Sequence, residues 1–156
     1  MNTISRESLK TIQIKPIGFV ERLSTNEDDK DRNLISKIII EKSLTKALDS
    51  IEDFSHIYII FWMDKIKDTS YLHHPSKTLD QKPVGIFATR APIHTNPIGL
   101  TLVELIKHEE NVLWVKGLDA LNNTPILDIK PYPDWEHGVC IKEDDFRVPK
   151  WLKKKN

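Results

Sequence analysis

Short apolar runs rich in β-branched residues follow one another along this chain, with few places between them for crossover helices. These runs lie at residues 11–20, 34–40, 54–63, 98–106, 111–117 and 125–132. Parallel strands need long, usually helical crossovers, so the runs predict a mostly antiparallel sheet that curls or closes. The predicted fold is mostly β: a single-domain β-barrel of about six or seven strands, with one short helix and an irregular C-terminal arm.

The segment "SLTKALDSI", residues 43–51, has the clearest helical period in the sequence. Leu44, Ala47, Leu48 and Ile51 recur at i, i+3, i+4 and i+7, and Ser43 precedes them. This spacing predicts an α-helix with Ser43 as its N-cap.

The N-terminal run also has a clear period. It alternates at Ile12, Ile14 and Phe19, which predicts a strand that Pro16 limits to a sheet edge or a bulge.

The stretch "GIFATRAPIHTNPIGL", residues 85–100, combines an apolar run with a polar loop. Val84, Ile86 and Phe87 predict a buried strand, and Arg90 follows within a segment stiffened by prolines. Such a loop at the rim of a sheet fixes polar groups where ligands are usually held. Arg90 suits a carboxylate or phosphate, although a structural ion pair explains it nearly as well. Gly99 permits close approach of a ligand to the backbone.

Composition predicts one soluble domain. The 156 residues include a single cysteine, and no apolar run is long enough to span a bilayer, so we expect a cytoplasmic protein with no membrane contact. The domain is expected to cover residues 1–156, with a core at about 11–133, an arm at 134–156 and no additional C-terminal domain. Lys plus Arg and Asp plus Glu both number 23, so net charge alone does not favour a nucleic-acid partner.

A second polar cluster lies in "LDALNNTPILDIKPY", residues 118–132. Asp119, Asn122, Asn123 and Thr124 crowd a turn before a strand, where backbone groups can meet a base or a ribose. The alternative is an ordinary hairpin whose Asn and Asp side chains satisfy their own backbone.

Other recognised kinds of site are not supported by the sequence. Two adjacent histidines, His73 and His74, cannot easily bind one ion, and His137-x-x-Cys140 supplies two ligands where zinc needs three or four, so no metal site is predicted. There is no G-x-G-x-x-G after a strand, no P-loop and no G-x-S-x-G.

Four segments together resemble one family. "PIGFV" (16–20), "FSHIYIIFW" (54–62), "GIFATRAPIHTNPIGLT" (85–101) and "LDALNNTPILDIKPY" (118–132) look like the TsaA-like family, also called the TrmO or YaeB family, in the order in which its motifs occur. The resemblance implies a β-barrel, commonly a homodimer, that binds S-adenosylmethionine outside any Rossmann fold. Bacterial members methylate N6 of threonylcarbamoyladenosine next to the anticodon, so it also implies tRNA as the partner.

The resemblance assigns roles to particular positions. The implied cofactor-binding residues are Asp64, Lys65, Arg90, Leu100, Asn122, Asn123, Thr124 and Pro125. His94 and Asn96 are candidates for substrate binding. Because a carbamoylated N6–H is more acidic than a plain adenine amine, a modest general base suffices, and Asp119 and Asp128 are the candidates.

The chain departs from the family pattern at several of these positions. The usual Arg-Pro is His94-Thr95, the usual Asp-Gly is Asn122-Asn123, and a usual His is Asp64. Two alternatives therefore stay open: an S-adenosylmethionine-dependent methyltransferase of a small molecule, and a non-catalytic S-adenosylmethionine-binding protein.

Overall fold

The computed structural model describes residues 11–23, 34–73, 83–132 and 147. Its main strands are β1 (Gly18–Arg22), β2 (Ile35–Ile40), β3 (His56–Trp62), β6 (Ile98–Glu109), β7 (Val112–Lys116) and β8 (Pro125–Pro131). These six close an antiparallel barrel in the order β1-β2-β7-β6-β3-β8, which confirms the predicted barrel. Two further strands, β4 (Leu72–His73) and β5 (Val84–Gly85), form a separate two-stranded sheet.

Strand alternation builds the core. On β3, Ile57, Ile59 and Phe61 face the barrel interior and are buried, while the side chains between them are half-buried on the outer wall. The prediction of a central strand here is confirmed, because β3 lies between β6 and β8. The other fully buried side chains of the core are Val20, Ile38, Val103, Leu113, Val115 and Ile126.

The helical segment after β2 differs in type from the prediction. It forms two 3₁₀ helices, Lys42–Leu48 and Ile51–Asp53, rather than one α-helix. The N-cap is Glu41, which makes no side-chain capping bond, so the prediction of Ser43 was wrong. In the first 3₁₀ helix only Leu48 is buried, so there is little packing to stabilise a longer regular helix. Ser50 adopts a φ of 67° and breaks the segment.

The first strand begins later than the alternation predicted. β1 starts at Gly18, and Ile12 and Ile14 lie outside it and are exposed. Strand pairing decides this boundary, because Gly18 is opposite Ile40, the last residue of β2. A Cβ at Gly18 would lie 2.2 Å from the carbonyl oxygen of Ile39, so only glycine fits where β1 and β2 approach each other here.

The predicted buried strand before Arg90 was also wrong in most of its length. β5 has only two residues, and a 3₁₀ turn, Ile86–Ala88, follows it. Ile86 is buried, but Phe87 is 84% exposed. The Thr89 amide and hydroxyl both donate to the Ile86 carbonyl oxygen, at 3.0 and 2.8 Å, which closes the turn.

Antiparallel pairing gathers the longer connections at one end of the barrel. β1, β3 and β7 finish at this end, and β2, β6 and β8 begin there. We call it the loop end; among the described residues it is formed by 63–73, 83–97 and 117–124 together with the ends of these strands. The predicted arm, at 134–156, lies outside the described residues except for Arg147. In the part of the chain that is described, no helix is long and apolar enough to cross a bilayer.

Candidate functional site

The turn between Leu121 and Pro125 is fixed to β1 by main-chain bonds. The Asn123 amide donates to the Val20 carbonyl oxygen at 2.8 Å, and the Val20 amide donates to the Thr124 carbonyl oxygen at 3.0 Å. The Asn122 side chain adds a third bond, in which its Oδ1 accepts from the Arg22 amide at 3.0 Å. Thr124 is buried. This turn is therefore a rigid part of the loop end, at one edge of the barrel mouth.

β6 offers an open backbone edge at the same end of the barrel. From residue 98 to residue 103 it pairs with β3 alone, and its pairing with β7 begins only at Glu104 opposite Lys116. Among the described strands, none covers the second edge of this section, which contains Leu100. The Leu100 side chain is 59% exposed on the outer wall. Free main-chain donors and acceptors on a strand edge can hydrogen-bond a planar heterocycle such as adenine.

The end of β3 and the central loop meet at the same place. The Met63 amide donates to the Pro97 carbonyl oxygen at 2.8 Å, which sets Asp64 and Lys65 beside the start of β6. Both of these side chains, and that of Arg90, are exposed.

The central loop is held partly by its own side chains. His94 Nε2 faces the Thr89 carbonyl oxygen at 3.2 Å and must be the donor, because a carbonyl only accepts. The His94 ring also contacts the Phe87 ring, with 5.8 Å between centroids. Asn96 is exposed, and its carbonyl oxygen accepts from the Ile98 amide at 2.7 Å.

Gly99 has a different role from the one expected. Its inner side is covered by the Phe61 ring, and a Cβ there would lie 2.2 Å from two of the ring carbons. Gly99 therefore makes room for a core side chain and not for a ligand.

The two candidate bases lie in different surroundings. Asp119 is exposed on the loop that crosses the loop end. Asp128 is opposite Ile60 on the outer wall, where its Oδ1 accepts from the Ile129 amide at 2.9 Å and its Oδ2 pairs with Lys130 Nζ at 2.8 Å. Asp128 is on β8 and Leu100 is on β6. Because β3 lies between these strands, β8 and β6 are about 10 Å apart. This geometry favours Asp119 over Asp128 as a base near the open edge of β6.

Sequence comparison identifies the family. Residues 25–135 match the family described as the tRNA-methyltransferase O N-terminal domain. The chain belongs to this family. An S-adenosyl-L-methionine-binding protein of Archaeoglobus fulgidus is 38% identical over 143 residues, covering 87% of this chain and 99% of that protein.

Two other comparisons extend this result. A mouse tRNA (adenine(37)-N6)-methyltransferase is 39% identical over 90 residues, which cover 55% of this chain and 20% of that enzyme. The crystal structure of TrmO from Pseudomonas aeruginosa matches with a TM-score of 0.65 at 26% identity, covering 84% of this chain and 60% of that one. The chain thus spans about a fifth of the length of the mammalian relative and about three fifths of the crystallised one.

The turn geometry explains one departure from the family pattern. Asn123 stands where the family usually has glycine, and its φ is 63°. Asparagine is one of the few residues other than glycine that tolerates this left-handed conformation. The family's turn shape is therefore compatible with the Asn122-Asn123 sequence.

Three residues of the loop end were not predicted as candidates for the site: Arg22, Tyr71 and Phe87. Alternation along β1 could have identified Arg22, because it comes two residues after the buried Val20 and therefore faces the same side of the sheet. The two aromatic residues gave no signal, because their exposure depends on the tertiary placement of the loop. Within the described residues, no three His, Cys, Asp or Glu side chains come together as a metal site. His74, His137 and Cys140 lie outside that part of the chain.

Proposed function

We propose that this protein is an S-adenosylmethionine-dependent methyltransferase that acts on N6 of adenosine 37 in tRNA, the position named in its mammalian relatives. The observation that carries the proposal is that three elements lie at the loop end. These are the rigid turn at 122–125, the open edge of β6 at Leu100 and the end of β3 at Asp64.

The loop end has the donors and acceptors that S-adenosylmethionine needs. The open edge of β6 and the turn at 122–125 offer main-chain groups to the adenine and the ribose, while Lys65 and Arg90 offer cations to its carboxylate. When bound, the cofactor supplies an electrophilic methyl group on a sulfonium.

In this proposal the protein mainly aligns the reacting atoms and removes one proton. S-adenosylmethionine held at the loop end would supply its methyl group to N6 and would leave as S-adenosylhomocysteine. The N6 proton passes to a base, for which Asp119 is the better placed candidate. With threonylcarbamoyladenosine as the acceptor, the adjacent carbonyl delocalises the negative charge on N6, so a carboxylate is a sufficient base.

Two exposed aromatic residues support RNA as the acceptor. Tyr71 and Phe87 are 78% and 84% exposed. They lie close together, because the Ile86 amide donates to the Tyr71 carbonyl oxygen at 3.0 Å. Exposed aromatic side chains stack on unpaired bases, and cations such as Lys67 and Arg90 nearby attract the phosphates.

A homodimer in the cytoplasm is the assembly and location that we propose. The outer face of β6 carries three exposed apolar side chains, Ile98, Leu100 and Ile106, which suit burial against a second copy. Sedimentation equilibrium of the wild type tests this directly. A monomer at all concentrations would contradict it.

The cofactor is tested by isothermal titration of the purified protein with S-adenosylmethionine. We expect micromolar binding by the wild type, loss of most of that affinity in Arg90→Ala, and no loss in Lys107→Ala. Lys107 is a suitable control because it pairs with Glu109 at the opposite end of the barrel. If the wild type does not bind, the methyltransferase proposal fails.

The acceptor is tested by methyl transfer to tRNA that carries, or lacks, threonylcarbamoyl at adenosine 37. We expect transfer only to the carbamoylated tRNA. The second candidate function is a non-catalytic S-adenosylmethionine-binding protein, which the names of the archaeal relatives favour. Intact cofactor binding without turnover on any tRNA or small acceptor would identify it.

A further inference from the structure

Arg22 points into the mouth of the barrel. It is the last residue of β1 and lies opposite Ser36, whose side chain is only 1% exposed and faces the interior. Residues paired across antiparallel strands share one face of the sheet. Val20, on the same face two residues earlier, is fully buried. The Arg22 side chain therefore leaves β1 toward the inside, at the loop end.

The Arg22 guanidinium has an unused donor in this position. Its Nε is buried and, among the described residues, has no hydrogen-bond partner. A buried N–H without an acceptor is costly, and more so on a charged group. A ligand that brings an anionic oxygen to the mouth of the barrel would remove this cost.

Among the described residues, the charged side chain next to Arg22 in the sequence does not pair with it. The neighbouring Glu21 lies on the outer face, where it pairs with Lys37 Nζ at 2.9 Å. Arg22 is thus an inward-facing cation at the loop end, and its amide is bonded to Asn122 in the rigid turn.

We propose that Arg22 binds the carboxylate of a ligand at the loop end, a role that rests on the proposed methyltransferase function. Two ligands of that reaction carry a carboxylate. One is the amino-acid end of S-adenosylmethionine, and the other is the threonyl group of the acceptor. The guanidinium can donate from Nε and one terminal nitrogen to both oxygens of either group.

The first arm of the test compares two cofactor analogues. Wild type, Arg22→Gln and Arg22→Lys are titrated with S-adenosylmethionine and with 5′-methylthioadenosine, which has no carboxylate. If Arg22 binds the cofactor's carboxylate, Arg22→Gln weakens S-adenosylmethionine binding about tenfold to a hundredfold and leaves methylthioadenosine binding unchanged. Lys37→Gln is the matched control, because Lys37 is on the outer face of the adjacent strand.

The second arm compares two acceptors. Anticodon stem-loops that carry threonylcarbamoyladenosine, or its methyl ester, are methylated by the same variants. If Arg22 binds the acceptor's carboxylate, Arg22→Gln lowers kcat/KM about tenfold to a hundredfold on the free acid only, with unchanged affinity for S-adenosylmethionine.

Thermal unfolding of each variant separates binding from folding. If Arg22→Gln does not fold, Arg22→Lys decides the question, because it keeps the charge and loses the planar fork. The proposal is overturned if folded variants keep wild-type preference for the carboxylate in both arms. If the wild type binds no S-adenosylmethionine, the methyltransferase proposal and this one fail together. If the wild type binds it but replacement of Arg22 changes neither cofactor affinity nor kcat/KM, this proposal alone fails.

Discussion

At the scale of single residues, the turn at 122–125 shows how one backbone angle restricts the sequence. Asn123 has a φ of 63° and its amide donates to the Val20 carbonyl oxygen, so the turn can lose this conformation only by leaving β1. Residues with a β-branched side chain are strongly disfavoured at such angles.

Replacement of Asn123 tests this restriction. We expect Asn123→Val to lower the free energy of unfolding by about 1–2 kcal/mol and Asn123→Gly to change it by less than about 0.5 kcal/mol, because glycine accepts positive φ without strain. Urea denaturation of both variants measures the difference. Leu121→Val, a similar change at an exposed position of the same turn, serves as the control. Equal effects of valine at the two positions would contradict the expectation.

At the scale of elements, β6 contributes side chains to the core and has an open backbone edge along its first half. Its first half is bonded to β3 and its second half to β7, with a register shift between Leu105 and Lys107. Phe61 packs over Gly99 near the start of β6, within the section that has the open edge.

Gly99→Ala tests the contact between β3 and β6. The new methyl group would lie 2.2 Å from the Phe61 ring, so the ring must move within a packed core. We expect a loss of about 1–3 kcal/mol in the free energy of unfolding, partly recovered by adding Phe61→Leu. Gly85→Ala is the control, because no atom lies within 4 Å of the added Cβ. Similar losses at the two glycines would show that packing is not the cause.

A second contact between elements makes stability depend on pH. Glu52, in the second 3₁₀ helix, accepts from His108 Nδ1 at 3.0 Å, and His108 Nε2 donates to the Glu110 carbonyl oxygen at 2.8 Å. A main-chain hydrogen bond of Glu52 and then the bond from His108 lower the pKa of the Glu52 carboxyl below its ordinary value of 4.5. Since the folded pKa is lowered, the contribution is present above 4.5 and is lost as the pH falls through the folded pKa.

Glu52→Gln measures this contribution. The Glu52 side chain is 59% exposed, so solvent screens the contact, and we expect the free energy of unfolding of the wild type to exceed that of the variant by about 0.2–1 kcal/mol at pH 7. The difference should shrink toward zero as the carboxyl is protonated below its ordinary pKa of 4.5. Denaturant unfolding across this pH range provides the data, with Asp53→Asn as the control in the same 3₁₀ helix. A difference that is constant with pH would exclude the ion pair as its cause.

At the scale of the whole molecule, barrel closure gathers functional groups from distant parts of the sequence. Arg22, the turn at 122–125 and the start of β6 lie at the same end of the barrel only because β1 pairs with β8, β8 with β3 and β3 with β6. Tyr71 and Phe87 extend the same end outward as an exposed aromatic pair. A surface of this kind suits RNA despite the zero net charge, because the local arrangement of cations and rings matters more than the total.

Binding of tRNA tests this surface. We expect affinity to fall steeply with salt, and Phe87→Ala to weaken binding about tenfold, since stacking on one base is worth about 1–3 kcal/mol. Ile12→Ala, which changes an exposed apolar residue outside the barrel strands, should have no effect. Filter binding at several salt concentrations measures both. If Phe87→Ala instead dissociates a dimer and leaves RNA affinity unchanged, the aromatic pair belongs to a subunit interface.

The sequence by itself determined the barrel and the family. Short apolar runs rich in β-branched residues are a local property, so β2, β3, β6, β7 and β8 could be located within a few residues, and the motifs identified the family before any contact was known. What it could not determine depends on contacts between distant residues. These include the 3₁₀ geometry after β2, the start of β1 at Gly18 and the exposure of Phe87.

The tertiary structure alone decided which groups face the candidate site. Gly99 was predicted to let a ligand approach the backbone, but in the closed barrel the Phe61 ring occupies that space. No role was predicted for Arg22, and its pairing with Ser36 in the closed sheet turns it inward. In both cases the physical reason is the same: the neighbour that gives the residue its role lies far away in sequence and is brought close only when the sheet closes.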